Sequence, residues 1–142
     1  MIKELNIFIE NKPGRLTVVT ELLSKNNINI RAFTVQDRND FGLMKLIVDR
    51  PDDANIILQE NGFACAIKKI FAIMTDDKPG GLYKILKVFA SINCNIKDSY
   101  GFVIDSGKSA VLCIEVEEAV KVKPILLKEG LTLLEEPDIY GI

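Results

Sequence analysis

The chain has 142 residues, of which 48% are hydrophobic and 27% are charged, a composition typical of globular rather than disordered or fibrous proteins. Its net charge is −2 and it contains no histidine, which excludes catalytic triads and metal sites built on imidazole and disfavours a nucleic-acid binder. No apolar run approaches the roughly 20 residues that a membrane-spanning helix needs, so we predict a cytoplasmic protein that contacts no membrane.

The first predicted element is a strand in which Leu5, Ile7 and Ile9 alternate with Glu4, Asn6 and Glu10. This period of two predicts a half-buried strand. Pro13 and Gly14 end it, because proline cannot continue an interior ladder and its fixed φ suits the start of a helix. That helix follows, with apolar residues at Leu16, Val19 and Leu23.

Two strands, a helix and a last strand complete the first half of the chain. The strands are predicted at residues 28–36 and 43–49, on either side of a polar turn at residues 37–40. The helix is predicted over residues 50–61 and the last strand over residues 63–67. The first half therefore follows the order strand, helix, strand, strand, helix, strand.

The second half of the chain repeats the first. Lys12-Pro13-Gly14-Arg15-Leu16 returns 66 residues later as Lys78-Pro79-Gly80-Gly81-Leu82, and Asn29-Ile30 returns as Asn95-Ile96. Beyond the polar turn the offset becomes 68, which an insertion in a surface turn explains. We therefore predict an α+β protein of two ferredoxin-like βαββαβ units, residues 1–68 and 69–142. In each unit both helices cover one face of an antiparallel sheet.

One position of the second repeat departs from the first. Pro124 stands where the first repeat has Ile56, in the middle of the predicted last helix. An interior proline breaks or kinks a helix, so this helix is expected either to start late, near Val122, or to bend at Pro124. The strands before and after it are predicted at residues 109–117 and 131–134.

The three cysteines predict no metal site and no disulfide framework. Cys65, Cys94 and Cys113 are an odd number, are widely spaced and form no C-x-x-C pair. Each lies in or beside an apolar run, where a free cysteine usually acts as a small hydrophobic residue. We expect structural thiols and no cofactor.

The repeated loop has the chemistry of a site for a small anion. Free N–H groups at a helix start attract a carboxylate, and Gly14 and Gly80 leave the backbone open to it. A side-chain oxygen of Asn11 or Asp77 would accept a hydrogen bond from an ammonium group. The same sequence also suits an ordinary turn that binds nothing, because Asx-x-Pro-Gly segments stabilise turns by themselves.

This loop, present twice in a βαββαβ setting, resembles the ACT domain, a regulatory module that binds amino acids. The resemblance covers nearly all of residues 1–142 and is strongest to free-standing tandem ACT proteins. It implies that a small amino acid binds where two units meet, at the loop and at the opening of the second strand. The matching ligand-binding positions are Asn11, Pro13, Gly14, Arg15, Leu16, Asn29, Ile30, Asp77, Pro79, Gly80, Gly81, Leu82, Asn95 and Ile96.

Two functions stay open at this stage. One is a non-enzymatic sensor that binds a free amino acid and allosterically modulates an enzyme of amino acid metabolism. The alternative is a regulatory subunit of a biosynthetic enzyme that acts through protein contacts and binds no ligand of its own. For either function we expect a homodimer, because symmetric dimers are the commonest closed assembly. Two equivalent ligand sites are not expected, since Arg15 of one loop is Gly81 in the other.

Overall fold

The computed structural model describes residues 1–10 and 12–141, and these form seven strands and five helices. The strands are β1 Ile2–Glu10, β2 Ile30–Asp37, β3 Phe41–Val48, β4 Ala64–Asp76, β5 Ile96–Asp105, β6 Ser109–Val116 and β7 Leu133–Leu134. The helices are α1 Arg15–Lys25, α2 Pro51–Glu60, α3 Gly81–Ser91, α4 Ala119–Lys128 and α5 Glu136–Tyr140. None of these helices is long and apolar enough to cross a membrane.

The described chain divides into two compact units. The first unit comprises residues 3–68 together with the C-terminal residues from Ile139 onward. The second unit comprises residues 1–2 together with residues 69–138. The boundary predicted between residues 68 and 69 lies inside β4, which is a single continuous strand because no turn residue interrupts it.

In the first unit the strand order is β2-β3-β1-β4, and the pairs β2–β3 and β1–β3 are antiparallel. Leu5 stands opposite Leu46 and Ile7 opposite Met44, so these four side chains share one face of the sheet. Both helices pack on that face, because burial of their apolar sides removes the most hydrocarbon from water there. The core consists of Leu5, Ile7, Ile9, Val19, Leu23, Ile28, Met44, Leu46, Val48, Ala54, Leu58 and Phe63.

The second unit repeats this arrangement with the order β5-β6-β4-β7, again with antiparallel pairs. Phe71 stands opposite Ile114 and Ile73 opposite Leu112, on the face that α3 and α4 cover. Its core consists of Phe71, Ile73, Ile85, Phe89, Leu112, Ile114, Val116, Val122 and Leu126. The predicted fold class, two ferredoxin-like units with helices on one face of an antiparallel sheet, is confirmed.

The helix that contains Pro124 does not start late. It begins at Ala119 and continues through Pro124 to Lys128, so of the two expected alternatives the late start near Val122 is wrong. The carbonyl of Glu118 accepts hydrogen bonds from the amides of Lys121 and Val122, at 2.9 and 3.2 Å. These bonds form the first turn ahead of the proline, which then removes only one donor from the ladder. The short helix α5 was not predicted.

The polar side of β1 is more buried than its alternating pattern predicts. Glu4 is 1% exposed and Asn6 is 3% exposed, although both lie on the face opposite the helices. Lys45 of β3 stands opposite Asn6 and is 4% exposed. The prediction of a half-buried strand is therefore wrong for this stretch, since both of its faces are buried.

Candidate functional site

The β1–α1 and β4–α3 loops bring an open backbone to the start of a helix in each unit. Gly14 and Gly80 directly precede α1 and α3 and have φ of 85° and 89°, a left-handed conformation that glycine adopts without strain. A Cβ atom added at either glycine would meet nothing within 4 Å. Pro13 and Pro79, the preceding residues, are exposed. The amides of Arg15 and Gly81 already donate to the carbonyls of Lys12 and Lys78, at 3.4 and 3.0 Å, so a small anion would approach the amides that follow them in the first turn.

The two loops differ at the first helical residue. In the first unit the guanidinium of Arg15 lies 5.0 Å from the centre of the Phe63 ring, a cation–π contact that holds the side chain half-buried. In the second unit a Cβ added at Gly81 would lie 2.2 Å from the carbonyl oxygen of Asp76. The second loop is thus folded more tightly and admits no side chain at that position.

Asp77 joins its loop to the β5–β6 turn. Its carboxylate Oδ2 accepts a hydrogen bond of 2.7 Å from the amide of Gly107, and its own amide donates to the carbonyl of Lys108 at 3.2 Å. This structural role was not visible in the sequence, because the turn lies 30 residues away. Asn11, the matching position of the first unit, lies outside the described residues.

The structure brings Leu16 and Ile30 together in a groove of about 530 Å³ between α1 and β2, which we call the first-unit groove. Its lining includes Leu16, Thr17 and Thr20 of α1 and Ile30, Arg31 and Phe33 of β2. Asn29 lines a neighbouring hollow of about 400 Å³, together with Thr20 and Ile30. The amide of Asn29 donates to the Asp49 carboxylate at 3.0 Å, which fixes the opening of β2 against the end of β3.

In the second unit the predicted residues are distributed differently. Asp77 and Leu82 line a hollow of about 300 Å³ whose apolar wall includes Phe102 and Leu112. Asn95 lines another hollow, of about 400 Å³, beside Cys94 and Glu117. Ile96 packs against the core of this unit. The structure therefore brings Asp77 and Leu82 together but places Asn95 elsewhere.

Arg31 is a residue of this region that the sequence reasoning missed. It lines the first-unit groove, is half-buried, and its Nη2 donates to the carbonyl of Tyr140 at 2.7 Å. The sequence feature that could have identified Arg31 is its position, since it is a cation inside an apolar strand pattern and directly follows the predicted Asn29-Ile30 pair. Its contact with Tyr140 could not be anticipated, because α5 was not predicted.

Two side chains of the first unit have pKa values shifted by their local surroundings. The hydrogen bond from Lys12, at 2.9 Å, lowers the pKa of the exposed Glu10 carboxyl. Burial raises the pKa of the free Cys65 thiol to about 11, so little thiolate exists near neutral pH. Within residues 1–10 and 12–141, no three cysteine, aspartate or glutamate side chains are arranged to hold a metal ion.

A family model described as an ACT domain pair matches residues 1–142. A crystal structure of a protein from Bacteroides thetaiotaomicron is 35% identical, with a TM-score of 0.92 over 99% of this chain and 96% of that one. The regulatory subunit of aspartate kinase from Thermus thermophilus, in its ligand-free form, is 17% identical, with a TM-score of 0.64 over 90% of this chain and 92% of that one. The corresponding subunit from Thermus flavus is 14% identical, with a TM-score of 0.62 over 89% and 88%. Both Thermus proteins share the fold, and no curated protein sequence matches the chain.

Proposed function

Because the chain belongs to the ACT domain family in its paired form, we propose that it is a non-catalytic regulatory protein that senses a free amino acid. The observation that carries the proposal is the open backbone at Gly14 and Gly80, repeated at the start of a helix in both units. Helix N-terminal amides stabilise a carboxylate, the group that every free amino acid carries. The neighbouring first-unit groove supplies apolar surface for a side chain.

With the amino acid bound, the protein modulates a partner, an enzyme of amino acid metabolism. The two Thermus proteins are regulatory subunits of aspartate kinase, which supports a metabolic enzyme as the partner. A ligand bound at a loop stabilises the conformation of the regulatory protein that binds it best. The partner enzyme is modulated because it binds the alternative conformations with different affinities.

A subunit that acts through protein contacts alone is the second candidate. It is supported by the exposed apolar side chains of β2, which ends the strand order of the first unit. Phe33 is 62% exposed and Val35 is 41% exposed, and edge strands with apolar side chains invite pairing with another chain.

Thermal unfolding in the presence of each of the twenty amino acids separates the two candidates. A ligand that binds only the folded protein raises the melting temperature, and one present at about 100 times its Kd adds about 2.7 kcal/mol of stability. We expect one or a few related amino acids to give this shift, with calorimetry confirming the stoichiometry. If no amino acid does so and the protein still binds its enzyme, the second candidate holds.

We further propose a symmetric homodimer. Light scattering at micromolar concentration is expected to give twice the chain mass of 15.8 kDa. A mass of one chain, with and without the amino acid found above, would contradict the dimer.

A further inference from the structure

The first-unit groove is apolar apart from the Thr17 and Thr20 hydroxyls and one charged side chain, Arg31. The hydroxyl of Thr20 bonds back to the carbonyls of Leu16 and Thr17, at 3.1 and 3.0 Å, so its donor is already used. Arg31 is therefore the group of this groove that can attract a negatively charged ligand.

The guanidinium of Arg31 retains unused hydrogen-bonding capacity. Nη2 donates to the carbonyl of Tyr140, whereas the buried Nε–H has no acceptor in the described part of the chain. No carboxylate of residues 1–10 or 12–141 forms an ion pair with this side chain. A buried cationic donor without an acceptor is unfavourable, and a carboxylate matches the planar geometry of a guanidinium.

The second unit carries larger side chains at two of the positions that line the groove in the first unit. The positions of Thr17, Thr20 and Arg31 are occupied there by Tyr83, Leu86 and Lys97. Leu86 packs against the core of the second unit, so the larger side chain occupies space that Thr20 leaves open in the first. The groove is therefore a feature of the first unit that the repeat by itself does not require, whereas a cation stands at this position in both units.

We propose that the first-unit groove binds a carboxylate with an apolar body, and that Arg31 receives the carboxylate through its Nε–H and remaining Nη–H groups. The apolar body lies against Leu16 and Ile30, and an α-amino acid and its 2-oxo analogue share this chemistry. The inference rests on the proposed function, since Leu16 and Ile30 belong to the predicted amino acid site. It adds the class of the ligand's side chain and a second partner for its carboxylate, because Arg31 lines the same groove as Leu16 and Thr17 of the first turn of α1.

Calorimetry with the full chain tests the ligand chemistry. The probes are leucine and phenylalanine, the 2-oxo analogue of each, and 3-methylbutylamine, which has the apolar body of leucine without its carboxylate. At least one of the four carboxylates is expected to bind and the amine to show no binding. The amino acids and the oxo acids distinguish the two sources of the carboxylate. Binding of the amine as tightly as of the carboxylates, or binding of none of the four carboxylates, would overturn the inference.

Variants of the groove test its location. Arg31→Gln removes the charge, and Thr20→Leu installs the residue that the second unit carries at this position. Each variant is expected to lower the affinity for the carboxylate by about 10- to 100-fold. This is the range for losing one charge-assisted contact or for filling the binding site with a larger side chain. The matched control Lys97→Gln removes the corresponding charge of the second unit and should leave affinity unchanged.

The two failures are distinguishable. If an amino acid binds the parent protein and also binds Arg31→Gln and Thr20→Leu with unchanged affinity, the groove is not its site, while the proposed sensing function stands. If only the 2-oxo acids bind, and both variants abolish that binding, the groove is confirmed and amino acid sensing fails. Thr20 is exposed and its leucine variant has a counterpart in the second unit, so this test does not depend on Arg31→Gln folding normally.

Discussion

Asn6 stands opposite Lys45 across β1 and β3 of the first unit, and at the matching place in the second unit Ala72 stands opposite Cys113 across β4 and β6. All four side chains are at most 4% exposed. The same register and the same burial thus accommodate a polar pair in one unit and an apolar pair in the other. The backbone pairing and the helix-facing core therefore specify the fold, whereas the residues of the opposite face differ in chemistry.

The polar version requires internal hydrogen bonds. The side-chain amide of Asn6 donates to the Glu4 carboxylate at 2.8 Å, and the second-unit counterpart of Glu4 is the buried Ile70. A buried carboxylate is stable only with donors or a cation near it, and Lys45 is the one buried cation in the described part of the chain. Glu4, Asn6 and Lys45 should therefore behave as a unit, which we call the polar trio.

The largest expected effect comes from breaking the polar trio. Lys45→Met keeps the length of the side chain but removes the buried cation. If Lys45 compensates the Glu4 carboxylate, the free energy of unfolding should fall by about 3–5 kcal/mol, the range for leaving a buried charge uncompensated. Urea denaturation followed by circular dichroism measures this loss.

The control replaces the whole trio by the residues of the second unit. The triple variant Glu4→Ile, Asn6→Ala and Lys45→Cys removes the charges together, and its stability should lie within about 1 kcal/mol of the parent or above it. A triple variant as unstable as Lys45→Met would show that this face needs polar residues. Ala72 and Cys113 would then not be a valid comparison.

The loops provide the next contrast, at the position occupied by Arg15 and Gly81. Gly81→Ala places a Cβ atom 2.2 Å from the carbonyl oxygen of Asp76, so the loop must shift. We expect a loss of about 2–3 kcal/mol in the free energy of unfolding, as for overpacked sites.

Arg15→Ala at the equivalent position of the first unit is the matched control. It removes the contact with Phe63 and an attraction to the exposed Glu10 carboxylate, and it should cost about 0.5–1 kcal/mol. Equal losses for the two variants would mean that the loops are not different in tightness.

Each sequence pattern predicted only the structural property that produces it. The helix-facing residues of β1 were identified correctly, because a period of two separates the two faces of a strand. The burial of Glu4 and Asn6 was not predicted, because alternation indicates which residues share a face but not whether that face is covered. Pro124 alone left open whether α4 starts late or bends, because the turn at Glu118 that begins the helix has no strong sequence signal.

The candidate site was predictable to a similar extent. Local patterns identified the Pro-Gly loops, because their conformation depends on neighbouring residues only. The bond between Asp77 and Gly107 and the contact between Arg31 and Tyr140 join residues 30 and 109 positions apart. Such contacts depend on the packing of whole elements, which a short motif does not encode.

Asp77 offers a smaller effect and sharpens the comparison of the loops. Asp77→Asn introduces the residue found at position 11, keeps an oxygen that accepts from the Gly107 amide, and removes the negative charge. Stability should change by less than about 1 kcal/mol, since the neutral acceptor replaces the charged one. If the loop of the second unit receives the ammonium group of an amino acid, affinity should fall about tenfold, as calorimetry would measure.

Asp77→Leu is the companion variant, because it removes the acceptor as well. It should lower stability by about 1.5–3 kcal/mol and speed hydrogen exchange at the Gly107 amide. Unchanged affinity in a folded Asp77→Asn protein would restrict Asp77 to its structural role. The ligand would then be assigned to the first unit.

The smallest expected effect concerns Glu135, whose counterpart in the first unit is the apolar Ile67. Its carboxylate accepts a hydrogen bond from Lys123 at 2.8 Å and another from the amino terminus of Met1, and both lower the pKa of the carboxyl below its ordinary 4.5. The folded protein thus binds this proton less readily than the unfolded chain does. The resulting stability is present above the ordinary pKa and is lost as the pH falls through the lowered one.

Because the Glu135 side chain is 48% exposed, solvent screens these contacts, and Glu135→Gln should lower the free energy of unfolding by only about 0.5 kcal/mol at pH 7. As the pH falls through the lowered pKa, the parent carboxyl takes up its proton, so the parent and the variant should come to unfold at nearly the same urea concentration. Ile67→Ala is unsuitable as a control, because Ile67 packs against the core of the first unit and its loss would create a cavity. Lys123→Met serves better: it removes the first of the two donors, and its effect should vanish over the same pH range as that of Glu135→Gln. A difference between parent and Glu135→Gln that does not shrink as the pH is lowered would mean that the glutamine disturbs packing rather than charge.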